Sequence, residues 1–156
     1  MNHSQEAERL FKKGYNCSQA IFCAFRDLTG YELKEAARLS APFGGGMGRL
    51  REVCGAMSGA LLTLGYLYGY DDPGDNDVKH DHYRLVREFA GRFEERFGAL
   101  RCKDLLKTVS VTPGSEPEAR TPGFYEKRPC LRIVAGSAEI LDELIAETDA
   151  EKPGEE

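Results

Sequence analysis

Val53-Cys54-Gly55-Ala56-Met57-Ser58-Gly59-Ala60-Leu61-Leu62-Thr63-Leu64-Gly65-Tyr66-Leu67-Tyr68-Gly69-Tyr70 carries no charge, although 30% of the chain is charged. Apolar or small residues cover every side of this stretch, so a helix here is expected to be buried all round. Gly55 and Gly59 lie four apart, as do Gly65 and Gly69. That spacing cuts shallow grooves into which a neighbouring helix fits, and the same grooves would serve a homodimer. Glycine in a helix interior costs about 1 kcal/mol against alanine, so four of them point to close packing or to a closely held group. The reading is a central helix with Cys54 at its N-terminal end. The stretch is barely long enough to raise a transmembrane question. Its glycines, Ser58 and Thr63, with the amphipathic segments on both sides, favour a soluble core helix without membrane insertion.

Working outward, the preceding loop Phe43-Gly44-Gly45-Gly46-Met47-Gly48-Arg49 has four glycines in five residues. Such a run permits positive φ and close approach to another group. It is read as a connector or as a close-fitting flap near Cys54. It is no phosphate-binding loop, since Gly-Lys-Ser/Thr is missing and no strand precedes it. Arg49 and Arg51 are expected near the start of the central helix, placed to pair with an anion. Further upstream, Ser4 is a candidate cap for a helix ending near Lys13. Asn16 caps a second helix from Cys17 to about Leu28, with Cys23 inside it as a small packed hydrophobe. Leu33 to Ser40 reads as a third helix, closed by Pro42.

Downstream, Asp71-Asp72-Pro73-Gly74-Asp75 is a turn. The periodicity then predicts a long helix from Asp77 to about Phe97, with His82 on its apolar stripe as a packed, hydrogen-bonded histidine. His80 falls off that stripe, so the two histidines make a poor metal pair. A short helix opens at Cys102. Thr108 to Pro129 contains four prolines and two glycines and reads as an irregular loop or lid. Only Thr108 to Val111 offers a weak strand candidate. The last helix runs from Cys130 to about Glu147. The expected class is all-α: a bundle of six or seven helices in one domain over residues 1–148, followed by a polar tail at 149–156.

The chain has 156 residues, 21 Lys and Arg against 26 Asp and Glu, and a net charge of −5. That balance argues against nucleic-acid binding, which draws on clustered basic residues. No secretory hydrophobic region follows the polar N-terminus, so a cytoplasmic, reducing location is expected. Five cysteines in such a compartment point to metal binding or redox chemistry. Cys17, Cys54, Cys102 and Cys130 each stand at or near a predicted helix start. There the unpaired N–H groups and the helix dipole favour thiolate over thiol. No two of the four are close in sequence, which excludes zinc-ribbon and ferredoxin spacing. If they meet, the tertiary fold brings them together.

Cys54-Gly55-Ala56-Met57-Ser58-Gly59 resembles the Cys-Gly-Ala-x-x-Gly signature of the C-GCAxxG-C-C family, which takes its name for redox activity from its cysteines. Cys17, in Gly14-Tyr15-Asn16-Cys17-Ser18-Gln19-Ala20, matches the upstream cysteine of that pattern, and Cys102 and Cys130 match the two downstream. The resemblance spans about Glu8 to Leu144 and implies redox function for these four cysteines. Related domains accompany haem, but this chain lacks Cys-x-x-Cys-His and is expected to carry no covalent haem. The first expectation is an iron–sulfur cluster on Cys17, Cys54, Cys102 and Cys130, for electron transfer or redox sensing. Gly45, Gly46, Gly48, Gly55 and Gly59 would bring backbone close to it, and Arg49 would offset its charge. The second is a thiol–disulfide protein without metal, with Cys54 as the attacking thiolate. The third is a structural zinc domain on the same four residues. An oxidoreductase or an electron-transfer component working with a redox partner protein fits these readings.

Overall fold

The computed structural model describes residues 1–151, with Lys127 described by its backbone only. Nine α-helices follow in order among these residues: α1 (His3–Lys12), α2 (Cys17–Ala24), α3 (Arg26–Thr29), α4 (Leu33–Ser40), α5 (Gly55–Tyr68), α6 (Asn76–Phe97), α7 (Cys102–Leu105), α8 (Pro122–Lys127) and α9 (Cys130–Glu151). The class is all-α. No strand forms among the described residues, and 108–111 runs as turn and irregular chain. The last helix, expected to end near Glu147, continues to Glu151. Residues 152–156 of the expected tail lie outside the described residues.

The helix starts follow local chemistry. Asn2, rather than Ser4, caps α1. Its side chain accepts from the Gln5 amide at 2.8 Å while Gln5 reaches back to the Asn2 amide at 3.0 Å. Asn16 and Gln19 repeat this reciprocal pair at the start of α2, which satisfies two otherwise orphaned donors. The expected helix from Cys17 to Leu28 is broken at Phe25 (φ −98°, ψ 21°) into α2 and α3. There Arg26 turns back to donate to the Cys23 carbonyl at 3.0 Å. α8 had no sequence expectation, because its six residues show no full apolar period.

α5 shares the centre of the bundle with α2. It packs against α2, α3, α4, α6 and α9, and α2 packs against α1, α3, α4, α5 and α9. The first half of α5 is buried all round, from Gly55 to Ala60 with Ser58 half-exposed, while Tyr66 in its second half is 55% exposed. The uncharged stretch is therefore only half enclosed. Its two glycine pairs part company. A β-carbon on Gly59 would lie 2.5 Å from the Ser18 carbonyl oxygen, and one on Gly55 would lie 3.1 Å from the Ser18 amide. These two glycines set α5 directly against the backbone of α2. Gly65 has nothing within 4 Å, and Gly69 is the C-cap of α5. Phe11, Ile21, Phe25, Leu64, Phe89, Phe93, Val134 and Leu141 are fully buried and knit α1, α2, α5, α6 and α9 into one core. Cys23 is buried in that core. No helix among the described residues is long and apolar enough to cross a membrane.

Candidate functional site

Cys17, Cys102 and Cys130 are the first residues of α2, α7 and α9, and Cys54 is the N-cap of α5. All four line one cavity of about 530 Å³. Two local arrangements bring them there. The first is a short antiparallel crossing of residues 51–54 with 100–103. Val53 bridges Arg101, the Cys54 amide donates to Leu100 at 2.9 Å, and the Cys102 amide donates to Glu52 at 2.6 Å. Alternation along such a pair puts the side chains of residues 54 and 102 on the face opposite to 53 and 101. The second is the α2–α5 seam, where Gly55 leaves only 3.3 Å between its missing β-carbon and that of Cys17. Cys17 in turn meets Cys130, at the start of α9, on the wall of that cavity.

The glycine loop wraps the cavity. Gly45, Gly46, Gly48, Arg49 and Gly55 line it. Gly59 does not; it serves the helix seam instead. Gly45 to Arg49 are five consecutive residues with φ between 58° and 75°, and Arg51 follows at 61°. Left-handed backbone costs L-residues roughly 1–2 kcal/mol each, and Met47, Arg49 and Arg51 bear that cost. The turn is held by long-reach bonds, Arg51 to Gly45 at 3.1 Å and Glu52 to Gly46 at 2.9 Å. A β-carbon on Gly46 would lie 2.8 Å from the Cys102 β-carbon, so this backbone lies against the thiol wall.

Glu118, Arg120 and Arg128 also line the cavity and had no place in the sequence expectations. They come from the proline-rich segment after α7, whose composition marks a loop without marking which residues it turns inward. Glu118 ties the segment down. Its carboxylate accepts from the Thr112 amide at 2.6 Å and from Arg49 at 3.3 Å, contacts Arg128, and lies 3.9 Å from Arg51. Burial acts to raise its pKa, but the Thr112 amide and the three guanidinium groups outweigh burial and hold it below the usual carboxylate range. Arg120 is fixed by the carbonyls of Phe11 and Tyr15 at 3.3 and 3.2 Å, with Phe11 and Phe124 stacked 4.6 Å from it.

The four thiols differ. Burial pushes Cys54 up to about 12, against the lowering effect of the Ala56 and Met57 amides. The helix-start argument predicted the opposite sign; at this site desolvation is larger than the backbone field. Cys102 is also raised by burial, although Arg51 Nη1 lies 3.7 Å from its sulfur and pulls the other way. The Cys17 thiol is raised well above the ordinary value by the hydrogen bond it shares with Cys130 and by burial. Cys130 alone is lowered: Cys17 donates to it and, against burial, Arg128, Arg120 and Arg51 favour its charge. Of the four, Cys130 is the one whose surroundings favour the charged form, and at Cys54 they disfavour it.

No three His, Cys, Asp or Glu side chains among the described residues are gathered as a single metal ion requires. His82 lies elsewhere, in a groove at the far end of α5 with α6 and α9. Its Nδ1 is buried without a hydrogen-bond partner, contrary to the satisfied histidine expected, although Tyr70 and Tyr83 rings flank it at 6.2 Å. His80 is exposed.

A family model described as putative redox-active protein (C_GCAxxG_C_C) matches residues 15–144. No curated protein and no solved structure matches the chain.

Proposed function

The chain belongs to the C_GCAxxG_C_C family, and from that premise we propose that Cys17 and Cys130 form its working redox couple, a dithiol that closes reversibly to a disulfide. The observation that carries this reading is the meeting of Cys17 and Cys130, the first residues of α2 and α9, on the wall of one cavity, with Cys130 the one thiol held below its ordinary pKa. A thiolate beside a proton-bearing thiol supplies both halves of the exchange, one sulfur to attack and one to resolve. Arg51, Arg120 and Arg128 stabilise the first and burial keeps the second protonated until it is needed. Cys54 and Cys102 line the same wall and hold its shape. Such a couple needs a redox partner to turn over.

The reduced protein, treated with a mild oxidant, is expected to lose two titratable thiols of five, with Cys17 and Cys130 joined in one peptide. Retention of all five thiols, or a different pair, overturns the reading.

A second reading draws on a different observation, the four thiols of Cys17, Cys54, Cys102 and Cys130 on one cavity wall with four arginines and a single carboxylate. This donor set fits an iron–sulfur cluster, with the four cysteines as ligands. The cluster would supply a one-electron couple. Arg49 and Arg51 would offset its negative charge, and Gly45, Gly46 and Gly48 would bring backbone N–H groups to it. A single zinc ion fits less well, since tetrahedral bonds of about 2.3 Å demand sulfurs roughly 3.8 Å apart. Iron and inorganic sulfide in protein prepared without oxygen, lost on Cys54→Ser, support the cluster; a colourless product that takes up no iron removes it.

A further inference from the structure

The cysteine cavity carries more positive charge than its dithiol needs. Arg49, Arg51, Arg120 and Arg128 line it, and Glu118 is the one carboxylate that does. Among the described residues, four guanidinium groups against one carboxylate leave three positive charges uncompensated. These charges are not out in water: the side chains of Arg49, Arg51 and Arg128 are 15%, 16% and 9% exposed. Charges that far from solvent are normally paired.

Two buried donors have no hydrogen-bond partner, Arg49 Nη1 and Arg51 Nη2; the second has only the Glu118 carboxylate 3.9 Å away. Their own side chains are otherwise engaged: Arg49 Nη2 donates to the Thr112 carbonyl at 2.7 Å and Arg51 Nη1 points to Cys102. Arg120 is spoken for by two carbonyls and by aromatic rings, so it steadies the wall. The left-handed turn is what sets Arg49 and Arg51, two residues apart, at this cavity. A sterically costly backbone kept at a cavity is a reason to look for the group it serves.

We propose that this cavity is the binding site of a small anionic disulfide, whose acidic groups pair with Arg49 and Arg51 while its sulfurs meet Cys130. The inference rests on the Cys17–Cys130 couple and adds the class of its substrate. A planar guanidinium pairs with a carboxylate through two parallel N–H donors. The cavity, about 530 Å³, is within the range of roughly 300–1,000 Å³ that holds small molecules. Cys130 attacks one substrate sulfur; the substrate S–S bond breaks, its electron pair leaves on the departing thiolate, and a mixed disulfide forms on Cys130. Cys17 then loses its proton and attacks the Cys130 sulfur, which releases the second substrate thiolate. The two protein sulfurs are oxidised to a disulfide and the substrate is reduced to two thiols. One of the two protons they gain comes from Cys17 and the other from solvent. Glu118 is the competing internal anion, since its carboxylate already contacts the same two arginines.

The test compares two disulfide reagents on the reduced protein: dithiobis(nitrobenzoate), which bears two carboxylates, and dithiodipyridine, which is neutral. Each rate is divided by that of the same reagent with the protein in denaturant. The expected preference for the anionic reagent is at least about tenfold at low salt, in line with charge-steered encounter. It is expected to fall to about unity in Arg49→Gln/Arg51→Gln. The neutral reagent reports any accompanying change in Cys130 acidity, because that change affects both rates. Glu118→Gln moves the preference the other way, upward, and covers the case in which the double variant fails to fold. Equal preference in wild type and both variants, with the Cys17–Cys130 disulfide still forming, overturns the substrate assignment and leaves the couple intact. Absence of that disulfide overturns the couple instead.

Discussion

A cysteine at the start of a helix is subject to two opposing effects. The backbone N–H groups favour its thiolate, and removal of water disfavours it. At Cys54, 6% exposed, desolvation dominates and the thiol is pushed to about 12. At Cys130, half-buried, the hydrogen bond from Cys17 and three nearby arginines outweigh burial. The positions of all four cysteines at helix starts could be read from the local sequence, through Asn16, Pro129 and the apolar runs that follow. The ranking of their acidities could not, because Cys17 and Arg51 reach Cys130 from distant parts of the chain and burial is a property of the finished fold. Alkylation of Cys130 should therefore persist to lower pH than that of an ordinary thiol, the rate falling as pH drops through its depressed pKa. Cys17→Ala removes the donated hydrogen bond, and the pH profile of Cys130 alkylation, followed by peptide mass, is expected to move to higher pH. An unmoved profile would show that Cys17 does not tune its neighbour.

At the scale of elements, the α2–α5 seam depends on having no side chain at Gly59. Gly59→Ala puts a methyl group 2.5 Å from the Ser18 carbonyl oxygen, and backbone cannot step aside as a flexible side chain does. Overpacking of this kind costs roughly 1–3 kcal/mol, more than the ~1 kcal/mol gained in helix propensity. Gly65→Ala, on the same helix with nothing within 4 Å, keeps the propensity gain and is expected to stabilise by up to about 1 kcal/mol. Urea midpoints of the two variants should shift in opposite directions. Spacing alone made Gly55/Gly59 and Gly65/Gly69 look equivalent, and only the crossing of α2 tells them apart. Other elements were plain from pattern: α4 from Leu33 to Ser40 was expected at its observed bounds, and α6 starts one residue early because Asp75 caps it through the Val78 amide at 3.1 Å. The break at Phe25 escaped notice because Ala24, Phe25 and Leu28 continue the apolar period across it.

For the whole molecule, the raised thiols make folding sensitive to alkali. A group whose folded pKa lies above its unfolded one stabilises fully below the unfolded value and loses that contribution as pH rises through the folded value. For Cys54 the window runs from 9.0 to about 12, and three pH units correspond to a loss on the order of 4 kcal/mol. Cys17 and Cys102 act in the same direction and Cys130 in the opposite one. Denaturant midpoints measured upward from pH 8 should fall steeply in the parent protein and less steeply in Cys54→Ala; parallel curves would remove Cys54 as the source. The sequence could place the helices but not their meeting point. Residues 17, 54, 102 and 130 are joined only by the 51–54/100–103 crossing, the α2–α5 seam and the docking of α9, none of which has a local signature. The order of synthesis follows from that same arrangement. Cys17, Cys54 and Cys102 leave the ribosome before Cys130, and Cys130 opens the helix that completes the core. Until that last helix docks, Cys130 lacks the neighbours from α2 and the glycine loop that favour its charge, so the nascent chain is expected to acquire its acidic thiol only at the end of assembly.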